Sequence, residues 1–186
     1  MPSQEGQAIA TSPILTLLDY QKRAVQSPAR FLWCCWARQT GKSFTLSLRR
    51  VLSGLRRHRD QLILSAGQRQ SNEVMQKIRQ HCRALQITAE TVSPSLMKNC
   101  RYATSEIRLP NNVRIIALPA SPDTVRGFTG DILLDEFAMH RHERDIWAAM
   151  FPALIRHRGQ LDVASTPKGP EDRKSTRLNS SHGKLS

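Results

Sequence analysis

Aromatic side chains make up only 5% of this sequence, and cysteine, glycine and acidic residues are sparse as well. Each scarcity excludes something. The four cysteines (Cys34, Cys35, Cys82, Cys100) show neither CxxC spacing nor paired histidine ligands, so no zinc site and no disulfide framework is expected. Cys34 and Cys35 are adjacent in an apolar run, where cysteine behaves as a small hydrophobe of a reducing compartment. No apolar run approaches the ~18–20 residues that span a bilayer. No basic segment leads into an apolar one at the N-terminus. A cytoplasmic protein without a membrane partner is therefore expected. Acidic residues number 15 against 28 Lys and Arg, a net charge of +13, and arginine supplies 21 of those cations. Such an excess favours a polyanionic partner, with nucleic acid ahead of anionic membrane.

What is present is enough for one domain. A chain of 186 residues can bury roughly 70% of its unfolded surface. Residues 1–13 are polar and contain breakers, which predicts a loose lead. Residues 14–25 have apolar positions at helical spacing, and Ser27-Pro28 ends that helix. Residues 31–36 (FLWCCW) read as a buried strand. Residues 42–55 read as a helix with Phe44, Leu48, Leu52 and Leu55 inward. Arg49, Arg50, Arg56, Arg57 and Arg59 crowd its end, where they suit the helix dipole or would face DNA. Residues 61–66 (QLILSA) form a second strand, followed by a helix over 68–85 with Val74, Ile78, Cys82 and Leu85 on one face. The repeated strand–helix alternation predicts a mostly parallel central sheet with helices on both faces. Residues 88–103 are irregular. Pro110-Asn111-Asn112 between two apolar runs predicts a hairpin. Residues 132–135 and 161–165 read as further strands. A helix is predicted over 144–156, kinked or shortened by Pro152. The domain thus spans 14–169. Residues 170–186 are polar and aperiodic, and read as a disordered tail of non-native, adapter-like sequence.

The chemistry gathers in two motifs. WARQTGKS, residues 36–43, ends in the Gly-Lys-Ser of a phosphate-binding loop and lies between a strand and a helix. Arg38, Gln39, Thr40, Gly41, Lys42 and Ser43 would wrap the phosphates with backbone N–H groups. Lys42 would reach the terminal phosphates, and Ser43 would bind magnesium. The glycine that usually opens this loop is missing, and Trp36 takes its place. About 90 residues later, ILLDE ends an apolar strand in two carboxylates. Asp135 would hold magnesium with Ser43, and Glu136 would orient and deprotonate the attacking water. Together these motifs predict an ATPase.

Three more features belong with them. Gln21, in LLDYQ, has the amide donor and acceptor to read the adenine edge, or else lies solvated on its helix. Thr166, in STPKG, follows the last strand and can sense the γ-phosphate, coupling its presence to DNA-contacting loops. Arg38 can act as a cis arginine finger or brace the loop through an acidic partner. The loop RGFTG, residues 126–130, offers an arginine for phosphate or DNA.

In this order and spacing, LLDYQ, ARQTGKS, ILLDE and STPKG resemble the ATPase domain of tailed-phage terminase large subunits. That family often carries Arg-Gln in a deviant loop lacking the first glycine, and a Gly-rich segment before the acidic strand. The resemblance covers residues 14–169. It implies a P-loop NTPase fold of the RecA-like kind, ATP and magnesium as cofactors, and translocation of double-stranded DNA into a capsid. Glu136, Arg38 and Lys42 would be catalytic, Gln21 the adenine contact and Thr166 the coupling residue. A portal protein, a terminase small subunit and a homo-oligomeric ring are the implied partners, in the bacterial host cytoplasm. The family's nuclease domain finds no match here, so no DNA cleavage is expected. Two other readings share some features. A superfamily 2 helicase-like ATPase combines a glutamine motif with GKS and DE, but the arginine inside the loop favours terminase. A DNA-binding relic that no longer hydrolyses ATP should have lost one of Lys42, Ser43, Asp135 or Glu136, and all are present.

Overall fold

In the computed structural model, residues 15–92, 105–126, 128–139 and 143–167 are described. The expected lead (1–13), the proposed tail (170–186), Cys100, Gly127 and most of the irregular stretch 88–103 lie outside them. The elements run α1 (Asp19–Gln26), β1 (Phe31–Cys35), α2 (Lys42–Arg57), β2 (Gln61–Ser65), α3 (Gln68–Ala84) and β3 (Glu90–Val92). There follow β4 (Ser105–Arg108), β5 (Arg114–Pro119), α4 (Pro122–Arg126), β6 (Asp131–Leu134), a 3-10 turn (Phe137–Met139), α5 (Glu143–Arg156) and β7 (Leu161–Ser165).

The strands form one sheet in the order β1-β7-β6-β2-β5-β4-β3. Its first five members are mutually parallel, and β5-β4-β3 are antiparallel. Strands β2, β6 and β7 are buried at every position, as continuous apolar runs covered on two faces must be. One core packs α1, α2 and α3 on the sheet through Leu46, Val51, Val74 and Ile78. The other packs α4 and α5 on the opposite face through Val125, Ile146, Met150 and Leu154. The expected hairpin is present as β4–β5, and Asn111 in its turn donates to the Gly54 carbonyl at the end of α2 (3.1 Å).

Four expectations are corrected. β1 is an edge strand, not a buried one. Cys34 faces the α2 core, while Phe31, Trp33 and Cys35 on the opposite face are exposed, since β7 is its one neighbour. The inward side of α2 differs too. Leu46, Leu48 and Val51 are buried, while Phe44, Leu52 and Leu55 are only half-buried, because the helix is wedged between the sheet, α1 and α3 rather than laid on one surface. Leu85 is exposed because α3 ends one residue before it.

The fourth correction concerns the arginines of α2. Arg49 and Arg50 are fully buried and converge on Asp162 of β7, with N–O distances of 3.0 and 2.6 Å. Arg49 also donates to the carbonyls of Ala24, Val25, Ser27 and Ala29, tying the end of α1 to the start of β1. Arg57 pairs with the buried Asp131 of β6 at 2.9 Å. The strands' N-terminal ends supply two carboxylates that no sequence window places beside these cations. Removing either partner would strand a buried charge, which is why this network fixes how α2 sits on the sheet.

Candidate nucleotide-binding and hydrolytic site

Parallel strands bring their C-terminal ends to one edge of the sheet, and the chemistry-bearing residues lie there. The chain leaves β1 through a loop whose geometry its residues dictate. Trp36 donates its backbone N–H to the Ser165 carbonyl of β7 (3.2 Å), which fixes the loop's origin. Its indole packs on the core and meets Tyr20 edge-to-face at 4.9 Å, so the residue in the missing glycine's place forms a wall of the loop. Gln39 and Gly41 have φ of +60° and +77°. These left-handed steps turn the backbone into the start of α2. A side chain on Gly41 would also collide with Gln21, whose Nε2 lies 2.7 Å from the Cβ position.

The loop is braced from behind. Tyr20 Oη and Gln21 Nε2 both donate to the Thr40 carbonyl, at 2.9 and 3.1 Å, and Gln21 Oε1 accepts from the Leu18 N–H. The Gln21 amide therefore spends its donor and acceptor inside the protein in this state, and it does not line the cavity described below. Lys42 is buried, and its Nζ donates to the Ala37 carbonyl (3.0 Å), occupying the cradle it would share with phosphate.

Across the edge, β6 ends in Asp135 and Glu136. Ser43 Oγ donates to Asp135 Oδ1 at 2.7 Å, joining the first turn of α2 to β6. Burial pushes the Asp135 carboxyl above its usual range; the Ser43 hydrogen bond opposes this and the neighbouring Glu136 adds to it. A buried carboxylate beside a hydroxyl is the hard-oxygen donor set that magnesium takes, so Ser43 and Asp135 fit that ion. Glu136 adopts φ +51°, which turns it away from the strand direction, and accepts from Thr166 Oγ1 at 3.1 Å.

Between these groups lies an open cavity of about 490 Å³ lined by Arg38, Gln39, Lys42, Gln70, Glu136 and Thr166, among others. Arg38 makes no ion pair among the described residues. Arg126 is elsewhere, at the end of α4 and 3.7 Å from Asp123. Two residues of the site had no part in the sequence reading. Tyr20 adjoins Gln21 in the LLDYQ motif. Gln70 occupies the first turn after β2, a position that parallel topology brings to this edge.

A phosphate loop on an edge strand, a strand (β7) between it and the acidic strand, and hydroxyl, lysine and carboxylates around one cavity define a P-loop NTPase fold. The family "Terminase large subunit, T4likevirus-type, N-terminal" matches residues 34–182, and the chain belongs to it. It is thus a domain of ATPase type. The Thermus Phage P74-26 large terminase ATPase domain is 24% identical, with 83% of this chain and 66% of that one covered and a TM-score of 0.61. The HK97 bacteriophage large terminase is 17% identical, with 91% and 37% covered and a TM-score of 0.64. The chain thus spans about two thirds of the first structure and well under half of the second. No curated protein matches it. Among the described residues no helix is long and apolar enough to cross a membrane.

Proposed function

We propose that this domain hydrolyses ATP with magnesium and uses the energy to drive double-stranded DNA into a capsid. The observation that carries the reading is the 2.7 Å hydrogen bond from Ser43 to Asp135, with Glu136 next to it on the cavity wall. It joins the phosphate loop to the acidic strand, as a metal-bridged hydrolytic site requires.

Lys42 exchanges the Ala37 carbonyl for the terminal phosphates. Ser43 and Asp135 would hold the magnesium ion, which when bound neutralises phosphate charge. Glu136 takes the proton of the attacking water as its oxygen bonds to the γ-phosphorus. The bond to the β–γ bridging oxygen breaks, and ADP leaves with the electron pair. Arg38 lies on the cavity wall with no ion pair to brace, which supports its role as a cis finger for the transferring phosphoryl. Thr166 holds Glu136 from the end of β7, so a change at the phosphate reaches the segment that follows this strand. Gln21 serves adenine by releasing Thr40 or by positioning the loop beside the base. Portal protein, small subunit and neighbouring copies in a ring are the partners of the assembled motor.

The test is phosphate release with and without duplex DNA, alongside binding of a fluorescent ATP analogue. Glu136→Ala should bind the analogue as wild type does and release phosphate ~10²-fold or more slowly. Equal turnover in a folded, nucleotide-binding sample would remove Glu136 from the water.

A further inference from the structure

The acidic strand's neighbour on the side away from β7 is β2, and Asp135 N–H donates to the Leu64 carbonyl (2.8 Å). That pairing fixes where α3 begins relative to the carboxylates. Gln70 sits in the first turn of α3, half-buried, on the wall of the same cavity as Arg38, Lys42, Glu136 and Thr166. The next residue, Ser71, is fully buried, and Val74 and Met75 one turn on are in the core, so the helix start is held firmly. Gln68 and Arg69 beside it are engaged with Asn72 and Glu73 at the helix surface. The Gln70 amide has no hydrogen-bond partner among the described residues. An amide on the wall of an open polar cavity, unpaired within the protein, can turn to a ligand without giving up a protein contact.

We propose that Gln70 is a catalytic residue of this site: its N–H donates to a γ-phosphate oxygen, and its carbonyl accepts a proton of the attacking water. The inference rests on reading the cavity as an ATP site. Glu136 and Thr166 approach this space from β6 and β7, while Gln70 comes from the first turn after β2. A water held by Glu136 alone can rotate about that one hydrogen bond. A second acceptor from another element fixes its two protons and directs a lone pair at phosphorus. A neutral amide suits the task, because it donates to phosphate and accepts from water without adding charge. Arg38 and Lys42 donate only, and Glu136 only accepts.

Because ADP lacks the group Gln70 would touch, binding separates this role from a structural one. The full chain is titrated calorimetrically, in magnesium, with ADP and with a non-hydrolysable ATP analogue. Gln70→Ala should keep ADP affinity within about twofold and lose ~10-fold or more for the analogue. Gln70→Glu, isosteric but anionic, should lose more of the analogue and still bind ADP. Arg69→Ala, one residue earlier on the exposed surface, should match wild type for both. Unchanged analogue affinity in Gln70→Ala overturns the proposal, and so does a parallel loss of ADP. Wild type that binds neither nucleotide overturns the ATP reading itself, and this inference with it.

Discussion

Arg38 and Arg49 are eleven positions apart in one basic sequence, yet they obey opposite physics. Arg49 is 1% exposed and spends its guanidinium on Asp162 and four backbone carbonyls. Arg38 is exposed and lines the cavity with no ion pair among the described residues. Charge count cannot separate these cases, because the carboxylates that claim Arg49 and Arg57 lie on β7 and β6, far along the chain. The uncommitted arginine is the one available to a phosphoryl group whose charge spreads during transfer. Arg38→Ala should therefore leave ATP-analogue affinity near wild type and lower turnover by about 10³-fold. Single-turnover phosphate release with a binding titration measures both. Unchanged turnover would reduce Arg38 to a wall residue.

The contact between α2 and α3 places a histidine where no charge can be supported. His81 is fully buried, its ring 4.5 Å from Phe44, and its Nε2 lies 2.9 Å from the Phe44 carbonyl. Ser47 Oγ lies 3.0 Å from the same nitrogen, and Nδ1 has no partner. Burial holds its pKa down at about 4, against an ordinary 6.5. The unfolded chain takes up a proton below pH 6.5 that the folded chain refuses until about pH 4. Stability is therefore complete above the upper value and is lost as pH falls through this window, by roughly 3 kcal/mol in all. Urea unfolding at pH 7 and pH 4.5 should show this loss in wild type, and a smaller one in His81→Gln. Identical pH dependence in the two proteins would remove His81 as the cause. The α3 periodicity through Val74, Ile78 and Cys82 was legible in the sequence because a helix on a flat sheet shows one stripe. Helix α2 was misread because it is enclosed on several sides, and enclosure erases the stripe that periodicity detects.

For the molecule as a whole, the parallel order was readable from the alternation of apolar runs and helical segments, and the β4–β5 hairpin from Pro110-Asn111-Asn112. The meeting of Ser43 with Asp135 was readable from two motifs, since parallel strands must deliver their C-terminal ends to one edge. Gln70 and the Tyr20–Gln21 brace were not, because they depend on which strands become neighbours. The same holds for β1, whose FLWCC run looked like any central strand. In the sheet it is terminal, and its outward residues Phe31 (45% exposed) and Trp33 (41%) adjoin Phe151 (37%) of α5 and Phe137. Phe31 lies 6.3 Å from Phe151, and Trp33 lies 5.6 Å from Phe137, so these rings form one apolar strip beside a strand edge that no other strand pairs among the described residues. A bare edge with an apolar face is a template for association. The chain should self-associate as its concentration rises, despite a net charge of +13 that repels copies from one another. Added salt screens that repulsion and should therefore promote association rather than dissolve it. Trp33→Lys puts a charge on the strip where the side chain is already exposed, so the monomer's fold should survive it. Sedimentation velocity at low and high salt reads the outcome: a concentration-dependent shift in wild type that Trp33→Lys abolishes. If the variant associates as strongly as wild type, the contact lies on another face of the molecule.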